Sequence, residues 1–239
     1  GLLKDQVYMA LALLDMFEIS GEQRYLDRAR DLMDYALENF WDAERGGFFD
    51  IAHGQDFVEI LRQPRKEIQD APLPGANGVA ALALDRLFHL TGEQRFREKA
   101  GQTLAAFGGS VQSLGTFAAT YARAVDFHLA TPLRVIVSGE KQAARVQQLW
   151  RAALATYRPH KVVFLYDSAE THRPPLPPAL RARLAALPAA ESPSVLVCAG
   201  AVCAPPTSDQ AREAELIRTF GLTRRQAARR VPHDRSSAE

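Results

Sequence analysis

The sequence predicts a mainly α-helical protein, part of a ring of paired helices, followed by a small α/β appendage. Three observations predict it. Apolar helices alternate with half-polar ones through the first 130 residues. A Ser/Thr-Gly-Glu-Gln-Arg-aromatic pattern occurs at 20–25 and again at 91–96, each time between two helical stretches. At Pro132 the texture changes to short β-branched runs. With 239 residues, 47% of them hydrophobic and 24% charged, the chain has ordinary globular composition and enough length to bury a core.

Residues 5–19 place Val7, Ala10, Leu11, Leu14 and Phe17 at helical spacing, and Ser20-Gly21 stops the helix. The next helix, 22–40, puts Tyr25, Leu26, Ala29, Leu32, Met33, Ala36 and Leu37 on one side and charges on the other. Gly46-Gly47 before Phe48-Phe49 reads as a tight turn into a short strand. A charged, proline-rich link at 62–77 then leads into a strongly apolar helix, 77–90, for which Asn77 is the expected N-cap. The second repeat supplies an amphipathic helix after Thr91-Gly92, and 116–130 reads as a third inner-type helix. An apolar helix before an amphipathic one, twice over, is the pattern of an inner helical layer wrapped by an outer one. The count is about two and a half hairpins.

After Pro132, "LRVIVSG", "KQAARVQQLWRAALATY" and "KVVFLYD" form a strand–helix–strand unit, whose two strands are expected to be parallel. A proline-rich link at 174–178 precedes a short helix and a third strand, "SVLVCAG", and a last helix covers 209–220. The expected division is a helical-hairpin domain at 1–130, an α/β sub-domain at 131–222, and a disordered tail at 223–239. That tail holds five arginines against two acids. The net charge of +1 argues neither for nor against nucleic acid; the tail reads as a disordered end rather than an RNA- or membrane-contacting arm, and no nucleic-acid or membrane partner is expected. No run reaches the roughly 18–20 apolar residues of a membrane span. Two cysteines are too few for a disulfide framework, which fits a reducing, cytoplasmic setting; Cys198 and Cys203 are expected to be buried thiols, brought near each other if the chain turns at Ala199-Gly200.

The link gathers Arg62, Arg65, Lys66, Glu67 and Asp70 just before a helix N-terminus, where the free N–H groups and the dipole favour an anion or a hydroxyl lone pair. Two readings stand side by side. The link is either a salt-bridged fastener between hairpins, or the mouth of a cavity in which Tyr8, Arg62, Lys66 and Asn77 contact a small polyol or carboxylate. Asp5, one turn before Tyr8, and Asp70 are the candidate acid–base pair, since glycoside chemistry uses two carboxyls about 5–9.5 Å apart. Their alternative roles are a helix-dipole carboxylate and a loop ion pair. The six histidines show no metal-ligand spacing, and no acid-rich loop suggests calcium, so no metal is expected. His89 and His128 sit near inner-helix ends, as core residues or as cavity lining. "VSGEKQAA" lacks both phosphate-binding glycine patterns, and no cofactor is expected.

With "LLKDQVYMALALLDMFE", "FWDAERGGFFD", "PRKEIQDAPLPGANGVAALAL", the strand–helix–strand after Leu133 and Cys198-x4-Cys203 before "APPTSD" in this order, the chain resembles the back portion of the thioredoxin-domain-containing proteins typified by spermatogenesis-associated protein 20. The resemblance implies a six-hairpin, glycosidase-like (α/α)6 toroid, also found in sugar 2-epimerases, with a thioredoxin-like domain ahead of the region seen here. It also implies a sugar-sized cavity. Family members carry Pro-Ser-Gly-Asn-Ser where this chain has Pro74-Gly75-Ala76-Asn77-Gly78, so both hydroxyls are absent. The epimerase histidines are not recognisable. Two functions follow as expectations: a carbohydrate-binding or carbohydrate-active toroid, or a non-catalytic scaffold positioning a thioredoxin-like domain or a protein partner.

Overall fold

The computed structural model describes residues 1–54, 65–167 and 193–222. Arg62, the proline-rich link, the short helix expected after it and the arginine-rich tail lie outside the described residues. Helices α1 (Leu3–Ser20) and α2 (Gln23–Asn39) form the first hairpin, and α3 (Ala76–Thr91) and α4 (Gln94–Phe107) the second. The alternation read from the sequence appears as burial. Only Arg86 and Phe88 interrupt the buried run of α3, whereas α2 buries a single stripe of Leu26, Ala29, Met33 and Ala36. A third inner helix, α5 (Ala119–Leu129), packs on the far side of α3 from α1, while α2 packs chiefly on α1 and α4 on α3. Three inner helices and two outer ones therefore make two layers.

The repeated hexapeptide occupies the same place in both hairpins. Gly21 (φ 65°) and Gly92 (φ 79°) take the left-handed conformation that ends α1 and α3, and their N–H groups donate to the carbonyls of Phe17 and Phe88 at 2.8 and 2.7 Å. The preceding Ser20 and Thr91 hydroxyls donate back to Met16 and Leu87 and accept the N–H of Glu22 and Glu93. Arg24 and Arg95 then lie over the Tyr25 and Phe96 rings, at 4.9 and 4.0 Å from the centroids. The hydroxyl, the glycine, the arginine and the ring each have a local task in both hairpins.

Two boundaries differ from expectation. The helix expected from 116 begins at Ala119, because a 3-10 stretch, Val111–Ala118, is broken by left-handed Gly115. Asn77 is not an N-cap: α3 starts at Ala76 with Gly75 in the capping position, and the Asn77 side chain is wholly buried. The strand expected after Gly47 is reduced to two isolated bridges, Phe48 opposite Trp41 and Ile51 opposite Leu2.

The α/β part contains β1 (Leu133–Ser138), α6 (Ala144–Ala155), β2 (Lys161–Tyr166), β3 (Ser194–Ala199), β4 (Val202–Cys203) and α7 (Gln210–Thr219). Strands β1 and β2 are parallel, as the strand–helix–strand pattern requires; β3 runs antiparallel on the other side of β1, in the order β2-β1-β3-β4. One sheet face, with Ile136, Val162, Phe164, Leu196 and Cys198, joins the helical core. The other, with Val135, Val137, Val163, Val195 and Val197, packs with Val146, Leu149, Trp150, Leu216 and Ile217, residues of α6 and α7. Burial on both faces explains why the strands read as unbroken apolar runs. Cys198 and Cys203 are register partners across β3 and β4 and are joined in a disulfide, so the expectation of free thiols is corrected. The tight β3–β4 turn sets their Cα atoms 4.0 Å apart. Among the described residues no helix is long and apolar enough to cross a membrane.

Candidate functional site

The N-terminal ends of α1, α3 and α5 converge on the charged link. Lys4 pairs with Glu67 at 2.8 Å. Lys66 reaches Asp42 at 2.6 Å and donates to the Gly46 carbonyl at 2.6 Å, closing the 42–47 turn. The Lys66–Asp42 hydrogen bond, with the backbone N–H of Arg45, holds Asp42 down to about 2. Asp70 accepts the N–H of Gly75 at 2.7 Å and that of Thr120, in the first turn of α5, at 2.8 Å. Burial opposes its ionisation, but the Thr120 and Gly75 N–H groups outweigh burial and hold its carboxyl below the ordinary value. Asn77 is the centre of the arrangement. Its Oδ1 accepts from Phe48 N–H at 2.7 Å, and its Nδ2 donates to the carbonyls of Phe48 and Glu67 at 3.0 Å each. It thereby imitates a strand partner for the turn segment. The Tyr8 hydroxyl donates to the Pro74 carbonyl. The chain is close-packed here: a Cβ on Gly75 would stand 2.2 Å from the Ile68 carbonyl oxygen, so a serine at that position has no room.

Of the residues singled out in the sequence, the structure thus gathers Tyr8, Lys66, Asp70 and Asn77 at one end of the helical layer and bonds each within the chain. Asp5 stands exposed on α1, with no hydrogen bond or ion pair among the described residues, and it is not among the partners of Asp70. Arg62 lies outside the described residues, and Arg65 engages Asp50 through its backbone.

The opposite end carries groups that sequence spacing could not assemble. A cleft of about 460 Å³ opens between the C-terminal halves of α1, α3 and α5 and the segment leading into β2. Arg86 of α3 crosses to Asp15 and Glu18 of α1, at 2.6 Å each, and the second Glu18 oxygen accepts the N–H of Val163 at 3.0 Å. Opposite them, His160 meets Asp126 at 2.6 Å, and its ring stands edge-on to Phe127. Lys161 donates to the Leu154 and Thr156 carbonyls at the end of α6, and burial lowers its pKa. Arg123 projects from α5 with no ion pair among the described residues. An adjoining recess of about 510 Å³ shares Asp126, Arg158, Pro159 and His160. The volume and the mixed charges suit a small polar molecule. Among the described residues no three His, Cys, Asp or Glu side chains stand together as metal ligands.

Between the two ends, α3 buries Asp85. Its carboxylate meets His128 Nδ1 at 2.9–3.0 Å and lies 3.9 Å from Arg97, tying α3 to α5 and α4. Burial pushes Asp85 up to about 6 against the pull of His128 and Arg97. Burial, then Arg134 and Arg97, take His89 down to about 3. Neither histidine lines the cleft: His89 is buried, and His128 is half-buried against Asp85. The sequence did hold a signal for this lock: Asp85 is the single acid in the apolar stretch "NGVAALALDRLFHL".

A two-layer arrangement of helical hairpins, sharing its core with a small mixed sheet, is the class these features define. No family model matches the chain. It is 31% identical over 169 residues to spermatogenesis-associated protein 20 of Rattus norvegicus and 30% identical over 167 residues to that of Homo sapiens; each match covers 70% of this chain and 21% of the relative. An uncharacterized protein of Caenorhabditis elegans is 26% identical over 226 residues, covering 90% of this chain and 28% of its own length. The chain belongs to the spermatogenesis-associated protein 20 family. It spans about a fifth of the length of the mammalian relatives it matches.

Proposed function

We propose that this region is a non-catalytic helical scaffold, positioning a thioredoxin-like domain or another protein partner in longer members of the family. The observation that carries this reading is the bonding of the link. Tyr8, Lys66, Asp70 and Asn77, the groups best placed to meet a ligand at the N-terminal ends, all bond to the chain's own backbone. A general acid needs a pKa raised toward the working pH, whereas that of Asp70 is lowered. Carbohydrate binding is the second reading. It is favoured by the cleft at the opposite end, whose volume lies in the range of small-ligand sites and which offers Asp126 beside His160. Thermal unfolding in the presence of monosaccharides, disaccharides and polyols separates the two. The scaffold predicts no shift with any of them; a shift abolished by Asp126→Asn would transfer the function to the cleft.

A further inference from the structure

Arg134 of β1 is a half-buried cation with no anion to meet. Its Nη2 lies 3.3 Å from Nδ1 of His89, which burial keeps neutral, and its Nε is buried without a hydrogen-bond partner. Burial lowers its pKa, and no carboxylate among the described residues pulls the other way. The register partner of Arg134 on β3 is Cys198. Residues paired in this way project from one face of a sheet with Cβ atoms about 4.5–5.5 Å apart. The arginine stem therefore runs beside one sulfur of the Cys198–Cys203 disulfide. The two sulfurs are differently placed. Cys198 is 1% exposed, between β1 and β4, whereas Cys203 is half-buried on the edge strand. The disulfide is not all that holds this hairpin. It joins residues only five apart, and backbone hydrogen bonds secure the segment after it: Ala204 N–H donates to the Val197 carbonyl at 2.9 Å, and Val195 and Thr207 exchange both of theirs at 2.7 and 3.0 Å.

We propose that Cys198–Cys203 is a site of thiol–disulfide exchange with a dithiol, in which Cys203 is the sulfur attacked and Arg134 receives the departing Cys198 thiolate. A thiolate of the dithiol attacks Cys203 Sγ. A mixed disulfide with Cys203 forms, the Cys198–Cys203 bond breaks, and its electron pair leaves on Cys198. The second thiolate of the dithiol then attacks its own partner sulfur in the mixed disulfide, and Cys203 departs with the electron pair. The dithiol is oxidised to a disulfide and two electrons pass to this chain; of the two protons released, Cys203 takes one and solvent the other. Burial raises the pKa of a thiol and an adjacent cation lowers it. Here the Cys198 thiolate supplies the counter-charge that Arg134 lacks in the oxidised chain. A leaving thiol of lower pKa departs faster and favours the reduced pair.

Equilibrating the full chain with mixtures of reduced and oxidised dithiothreitol tests this, with thiols counted by alkylation and mass and the fold followed by circular dichroism. The sequence holds only these two cysteines, so every thiol counted belongs to the site. The expected result is reversible opening to two thiols with no loss of helix. Arg134→Met should shift the midpoint toward the disulfide, and slow its opening, by about tenfold each, while Arg134→Lys stays within about twofold of the wild type. A brief reaction with glutathione, stopped by acid, should leave the mixed disulfide on Cys203. Opening only when the chain unfolds, an Arg134→Met variant that opens as the wild type does, or a glutathione adduct on Cys198 would overturn the proposal. Should Arg134→Met not fold, the opening of the folded wild type and the position of the adduct still decide.

Discussion

The inner helices carry charge at both ends, and the two ends use it differently. At the N-terminal ends, Lys66, Asp70 and Asn77 meet backbone donors and acceptors and hold turns and helix starts in place. At the C-terminal ends, Arg86, Asp126, His160 and Arg123 meet other side chains or none, around an open cleft. A run of charges that is dense in sequence is therefore the rigid end, and charges scattered over four elements make the accessible one. Local density of polar residues in a loop between buried hairpins reflects the need to satisfy backbone groups that cannot pair in a helix or sheet.

The largest test of this contrast is Asn77→Ala. It leaves the N–H and carbonyl of Phe48 without partners in a buried place, while the Glu67 carbonyl keeps the backbone N–H of residue 77, so chemical denaturation should show a loss of about 3 kcal/mol. Glu213, in the first turn of α7, is the converse case: it is fully buried, and both of its oxygens lack a hydrogen bond. Burial pushes it up to about 7 from 4.5, against the pull of Arg145 and Lys161. A raised acid contributes stability below its unfolded value and loses it as pH rises through the folded one. Glu213→Gln should therefore match the wild type near pH 4.5 and exceed it by about 2 kcal/mol above pH 7. The divergence is read by denaturation at a series of pH values.

A smaller effect is expected at Asp70→Asn. The amide cannot accept from both Gly75 and Thr120 with a charged oxygen, and the cost is about 1 kcal/mol. The folded pKa of Asp70 is lowered, so its contribution is present above the ordinary value of 3.8 and disappears as pH falls through the folded value. Smallest of all is Arg123→Ala at the cleft: with no ion pair among the described residues, it should change stability by less than about 0.5 kcal/mol.

Much of the fold was legible because it rests on local chemistry. The hexapeptide encodes a left-handed glycine, a hydroxyl that folds back on its helix and an arginine over a ring, all within six residues, so two hairpins could be recognised from two short strings. Unbroken β-branched runs disclosed strands buried on both faces. What escaped was non-local. Asn77 has the composition of a cap but serves Phe48, 29 residues earlier. The start of α5 is decided by Gly115 and by a carboxylate 50 residues away. Arg86 finds Asp15 and Glu18 across about 70 residues, and His128 finds Asp85 across 43, distances at which spacing carries no signal. The cysteines pair because β4 turns back on β3, a register that two isolated residues cannot announce.

Native-state hydrogen exchange of the Phe48, Gly75 and Thr120 amides tests most directly whether the charged link is a fastener, since these three N–H groups are the ones held by Asn77 and Asp70. Protection approaching that of the α3 interior is the predicted result. Exchange at the rate of an open loop, with α3 still protected, would contradict it and return these side chains to a ligand.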